Sequence, residues 1–131
     1  EARQTLLEAS LKRNPRPVLV GNPDIVAPRE TGLSLEPGHF AHRLSDRTGI
    51  TPRFFGKPFP NIFDLAFERV PGVDPHRILM VGDSLHTDIL GGQAAGVQTA
   101  LISGWGFFAG QDVADPIATS GIQPDYILAN P

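Results

Sequence analysis

The sequence predicts an α/β fold built on a parallel sheet with helices on both faces. Three observations carry this prediction. Ile78-Leu79-Met80-Val81 is a four-residue apolar run, the pattern of a strand covered on both faces, and Thr99-Ala100-Leu101-Ile102 reads as another buried strand. Helical periodicities alternate with these runs: Ile62, Ala66 and Val70 fall at spacing four, as do Phe63 and Phe67. The 13 prolines and 14 glycines fall between these segments and punctuate them. Strand, helix, strand in succession argues for parallel pairing rather than hairpins.

Taken in order, residues Ala2 to Lys12 carry Leu6, Leu7, Ala9 and Leu11 among polar neighbours, a helical pattern that Pro15 and Pro17 close. Val18-Leu19-Val20 reads as a short buried strand, and Gly21-Asn22-Pro23-Asp24 turns the chain away from it. Residues Ile25 to Pro37 read as irregular, with room for a short hairpin, and Gly38 to Thr48 as a helix. Arg53-Phe54-Phe55 is the next short strand. Asn61 to Val70 is a helix stopped by Pro71-Gly72. Thr87 to Ala95 is a helix closed by Gly96 as a left-handed cap, and Tyr126-Ile127-Leu128 is a last strand. A composition shift near Gly56 marks a boundary, giving two pieces, residues 1–55 and 56–131.

Composition narrows the function. Hydrophobic residues make up 40% and charged residues 19%, which suits a chain with a buried core. The formal charge is −3 and no basic stripe is present, so nucleic acid is not an expected partner. No apolar run approaches the roughly 18 residues of a membrane span, so no membrane partner is expected either. The chain has no cysteine, which removes disulfide and thiol chemistry and fits a reducing, cytoplasmic setting. It opens at Glu1 within a helical pattern, which raises the expectation of a fragment of a longer protein.

The chemistry concentrates in Gly82-Asp83-Ser84-Leu85-His86-Thr87-Asp88. In an open parallel sheet ligands bind beyond the carboxyl ends of the strands, and Asp83 sits at that edge. Asp88 lies five residues later, at the start of the following helix. Two carboxylates turned to a common point repel unless a cation or proton lies between them, and hard oxygen donors suit Mg²⁺. The competing reading of Asp88 is a helix-start acid, favoured there by the helix dipole; Ser84 and Thr87 are capping types as well. Gly56-Lys57-Pro58 lies between a short strand and a helix. A lysine placed so can act as a point charge on a phosphate, or it can be an ordinary solvated lysine. One helix and one strand separate Lys57 from Asp83, so both loops can end on the same edge of the sheet.

Three stretches in order resemble the haloacid dehalogenase (HAD) superfamily, specifically its class IIA, in which an α/β cap is inserted between the second and third motifs. They are Val20-Gly21-Asn22-Pro23-Asp24, Phe55-Gly56-Lys57-Pro58-Phe59-Pro60-Asn61-Ile62-Phe63, and Ile78 through Ile89 continuing to Gly91 and Ala95-Gly96-Val97. The resemblance implies a Rossmann-like HAD core, second half only (residues 56–131), preceded by the end of the cap (residues 1–55). It implies a Mg²⁺-dependent phosphatase acting on a small phosphorylated substrate through an aspartyl-phosphate. Asp83 would be the direct Mg²⁺ ligand, Asp88 would support the metal site, and Lys57 would bridge the phosphate and the nucleophile. Asn22 and Asp24 match a cap signature and would contact substrate or shape the cap; a plain Asn-Pro-Asp turn is the competing reading.

The chain departs from the family at its first motif. No Asp-x-Asp occurs in it, so the nucleophile and general acid are not among its residues. The 131 residues alone are therefore expected to be inactive, to need the N-terminal half of the same protein, and to pack poorly where a central strand is absent. A homo-oligomer stays open. The alternative function is a non-catalytic binding or assembly module that keeps the HAD-like fold. A nucleotide-binding domain would want a G-x-G-x-x-G loop, and none is present. Gly104-Trp105-Gly106-Phe107-Phe108 reads first as core or interface packing and second as lining of the site. His39 and His42, at spacing three, have no third ligand at suitable spacing and read as a surface pair. His86 reads equally as a solvated loop residue and as a substrate contact.

Overall fold

The computed structural model describes residues 2–131. The chain divides into two compact units, Glu1–Gly56 and Lys57–Pro131.

The first unit opens with α1 (Ala2–Arg13), which ends on Lys12 and Arg13, cations that complement the helix C-terminus. β1 is Leu19–Val20. A hairpin follows, β2 (Val26–Arg29) antiparallel to β3 (Gly32–Leu35), with Val26 opposite Leu35 and Arg29 opposite Gly32. Pro28 inside β2 masks the strand pattern in the sequence, since proline offers no ladder donor. α2 (Pro37–Thr48) starts on a proline and ends on Gly49 in the left-handed conformation, whose N–H donates to the Ser45 carbonyl. β4 (Arg53–Phe54) then pairs parallel with β1, Leu19 opposite Arg53. α2 thus forms the crossover that parallel pairing requires.

Leu11 and Leu44, 1% and 2% exposed, form the centre of this unit with Val20 and Ala41. Beside them α1 buries Glu8, which faces Arg47 of α2 at 3.3 Å and Arg43 at 3.9 Å. β1 is not buried throughout as its sequence implies: Val20 is inside, but Leu19 is 64% exposed. Leu19 borders an open apolar groove of about 440 Å³ together with Leu7, Val18, Phe40 and Leu44.

The second unit begins with α3 (Pro60–Phe67). It stops three residues short of the expected Val70, because the bonds from Arg69 and Val70 reach back three residues instead of four, to Ala66 and Phe67. Pro71 explains this, since the residue before proline is disfavoured in the α conformation. A 3₁₀ turn at Pro75–Arg77, capped by Asp74 Oδ1 on the His76 N–H at 3.0 Å, leads into β5 (Leu79–Gly82). The expected helix from Thr87 is instead a π turn (Leu85–Ile89) running into α4 (Leu90–Ala94). The Ser84 carbonyl accepts both the Asp88 and the Ile89 N–H at 3.1 Å, which widens the first turn.

β6 (Gln98–Ile102) is the middle strand of a parallel sheet ordered β5-β6-β7, with β7 at Tyr126–Leu128. Thr99, Ala100 and Leu101 are fully buried, as a central parallel strand requires. β5 departs from the expectation. Leu79 and Val81 are 44% and 45% exposed, because β5 is an edge strand and only its other face is covered among the described residues. The core joins Leu85 and Ile89 of the π turn to Leu101, Phe108, Ile117 and Ile122. Ile117 belongs to α5 (Ala114–Ser120), a helix that the sequence reading does not assign: seven residues with Pro116 inside give too little periodicity. No helix among the described residues is long and apolar enough to cross a membrane.

Candidate functional site

Asp83 follows the C-terminal end of β5, and the π turn after it returns Asp88 against Gly82, the last residue of that strand. Asp88 is buried, with its side chain 3% exposed, and both its oxygens are engaged. Oδ1 accepts from Lys57 Nζ at 2.5 Å, and Oδ2 accepts from the Ser84 backbone N–H at 3.1 Å. The helix-start reading of Asp88 has its counterpart in the bond from Ser84, and the bond from Lys57 is a contact that neither reading named. One oxygen accepts the N–H of Ser84, the residue that precedes the turn, and the other anchors the lysine. Gly82 makes this close packing feasible, because a Cβ there would overlap the Asp88 carboxylate.

Lys57 is brought to Asp88 across 31 residues of sequence, with its side chain still 45% exposed. An ammonium has three donor hydrogens. One is committed to Asp88, and the half that faces solvent can serve an anion. Burying a carboxylate without a partner is costly, and the ion pair with Asp88 holds Lys57 in place.

Asp83 has a different partner. Its Oδ2 accepts the Phe107 N–H at 2.8 Å, from the segment that follows β6, while Oδ1 accepts no hydrogen bond among the described residues. Sequence reasoning assigns Gly104–Phe108 chiefly to packing, and Phe108 does enter the core. The backbone contact to Asp83 is what that reading misses; the only sequence signal is a glycine-flanked segment after a strand at the same sheet edge. Trp105 is 64% exposed, and its Nε1 donates to Asn130 Oδ1 at 3.0 Å.

For a hard cation the donor chemistry fits in part. Asp83 offers one carboxylate oxygen that is otherwise unengaged among the described residues, whereas both oxygens of Asp88 already accept hydrogen bonds, from Lys57 and from the Ser84 N–H. No group of three His, Cys, Asp or Glu residues able to hold a metal occurs among the described residues. A complete oxygen shell would need further donors, as Mg²⁺ commonly takes from water and substrate phosphate.

Asn22 and Asp24 lie in the first unit. Asn22 Oδ1 accepts the Asp24 N–H at 3.0 Å, and the Asp24 carbonyl accepts the Gly38 N–H at 2.9 Å. The segment is thus an Asx turn that seats the start of α2, the geometry of the turn reading. The histidines of α2 pack on aromatic rings: His42 stacks on Phe54 at 4.9 Å and His39 meets Phe40 edge-on at 5.3 Å. His86 is exposed on the π turn.

The HAD-hydrolase-like family model matches residues 54–130. The acid sugar phosphatase of Staphylococcus aureus (strain USA300) is 32% identical over 114 residues, 87% of this chain and 42% of the relative. Among solved structures, a possible sugar phosphatase of the HAD superfamily from Cytophaga hutchinsonii is 30% identical with a TM-score of 0.80, over 97% of this chain and 46% of that one. A p-nitrophenyl phosphatase from Archaeoglobus fulgidus is 27% identical with a TM-score of 0.76, over 97% and 48%. The chain thus spans less than half the length of the relatives that it matches. The family match begins at β4, at the approach to Lys57, and runs through Asp83 and Asp88 to the end of β7. This chain belongs to the HAD-hydrolase-like family, with the fold of the second half of the core and the end of the α/β cap of class IIA.

Proposed function

We propose that the whole protein carrying this chain is a Mg²⁺-dependent phosphomonoester hydrolase that works through an aspartyl-phosphate. These 131 residues supply the metal and phosphate side of the site. Residues 1–55 then form the end of the cap and residues 56–131 the second half of the core, a division supported by the unit boundary at Gly56. The observation that carries the reading is the Lys57 ammonium fixed on buried Asp88 at 2.5 Å. It presents a positive charge at a sheet edge where an anionic phosphate would bind.

Each residue has a distinct task. Lys57 binds the phosphate oxygens and neutralises charge as the P–O bond to the leaving group breaks. Asp88 orients Lys57. Asp83 directs a carboxylate oxygen to Mg²⁺, and Asn22 and Asp24 shape the cap loop. Bound Mg²⁺ would supply Lewis-acid stabilisation of the phosphoryl oxygens. The attacking carboxylate comes from an Asp-x-Asp outside these residues, so the 131-residue chain alone is inactive. Relatives described as sugar and p-nitrophenyl phosphatases support a small phosphorylated substrate. The absence of cysteine accommodates a cytoplasmic setting.

The test is hydrolysis of p-nitrophenyl phosphate by the whole protein with Mg²⁺ and with chelator. Chelation is expected to stop turnover, and Lys57→Ala and Asp83→Ala are each expected to lower kcat by at least about 10²-fold, the scale on which one charge-stabilising group acts. Full activity in both variants would refute the assignment.

A further inference from the structure

The segment after β6 is outside every motif that suggested the function, yet it makes the single hydrogen bond found on the Asp83 side chain among the described residues. Two features of it converge on that carboxylate. The Phe107 N–H opens a one-turn 3₁₀ helix (Gly106–Phe108), where the first amides have no partner within the helix, and it points to Asp83 Oδ2 at 2.8 Å. Immediately before it, Gly106 has φ +67°, and a Cβ built on it would overlap Asp83 Oδ2. The site at residue 106 is therefore closed to any side chain twice over, by backbone conformation and by the carboxylate itself. Gly110, four residues on, has φ +75° but open space around its would-be Cβ. Conformation alone does not set Gly106 apart from Gly110; the carboxylate lodged against it does.

We propose that Gly106 and the Phe107 amide are positioning residues for Asp83: they fix one carboxylate oxygen so that the other is turned out to receive a cation. Carboxylates that bind metals are commonly held this way by a hydrogen bond to their second oxygen, and loss of such support typically lowers affinity about 10–100-fold. The proposal rests on Asp83 being the Mg²⁺ ligand of the function proposed above, but its structural half does not need the metal.

The experiment compares Gly106→Ala with Gly110→Ala in the whole protein, both of which force alanine into a left-handed backbone. Calorimetric titration with Mg²⁺ is expected to show at least about tenfold weaker binding for Gly106→Ala and little change for Gly110→Ala. Equal weakening in both, or unchanged affinity in Gly106→Ala, would overturn the proposal. A metal-free arm measures hydrogen exchange at the Phe107 amide in the wild type and in Asp83→Ala. Faster exchange in Asp83→Ala supports the contact, and unchanged exchange refutes it. If the wild type takes up no Mg²⁺, the functional reading fails and the role toward a cation fails with it. The exchange arm then still separates that failure from a failure of the Asp83–Phe107 contact.

Discussion

Asp88 is the residue on which the site depends most. Its side chain is almost wholly buried, it accepts from a lysine and a backbone amide at once, and a glycine at position 82 leaves room for it. Truncation would leave the Ser84 N–H without its acceptor and release Lys57. An unsatisfied buried donor costs about 1–3 kcal/mol, so Asp88→Ala is expected to lower unfolding free energy by about that much in urea titrations. Asp88→Asn keeps an acceptor for Ser84 and should recover part of the loss while remaining impaired in phosphate turnover. Were Asp88→Asn as unstable as Asp88→Ala, the amide contact would carry none of the stability. Lys57 differs because it is half in solvent, and its value lies in charge placement more than in stability.

At the scale of elements, β7 is tied to β6 by an interaction outside the site. Thr99, fully buried at the start of β6, donates its N–H and its hydroxyl to Asp125 Oδ2, each at 2.8 Å, and the Asp125 N–H donates back to Thr99 Oγ1 at 3.1 Å. These bonds lie one residue before the pairing of Ala100 with Tyr126 and so fix the register of β7. The Thr99 hydroxyl, then its N–H, favours the ionised carboxylate and lowers the Asp125 pKa below its usual 3.8. The unfolded chain therefore binds more protons than the folded one between those two values. The contribution to stability is complete above 3.8 and is lost as pH falls through the lowered value. Urea midpoints measured from pH 5 downward should fall more steeply in the wild type than in Asp125→Asn, and parallel slopes would contradict this account. The π turn is the other element-scale device. The doubly used Ser84 carbonyl widens the turn that carries Asp88.

In the molecule as a whole, stability is spread over two units that each bury their own apolar set. Leu101→Ala in the second unit and Leu44→Ala in the first are expected to cost about 2–5 kcal/mol each in denaturant titrations. The sheet of the second unit ends on β5, whose Leu79 and Val81 are nearly half exposed. An apolar edge strand with unpaired backbone groups recruits other chains. The 131 residues expressed alone should therefore associate as concentration rises, seen by light scattering. A stable monomer at all concentrations would show that this edge is protected in solution.

Much of this was legible in the residues. Apolar runs marked β5, β6 and β7, and Gly96 marked a helix end, because these signals depend only on local periodicity and backbone freedom. Gly-Asp after a strand and Gly-Lys-Pro before a helix pointed to Asp83, Asp88 and Lys57, since the chemistry of cations and phosphates limits which side chains can serve. Only the tertiary structure decided which face of β5 is covered, since that depends on neighbours distant in sequence. It also joined Lys57 to Asp88 across 31 residues, and Phe107 to Asp83 across 24. A backbone amide has no signature in the sequence, for every residue except proline carries one, and its role emerges only when folding sets it against a carboxylate.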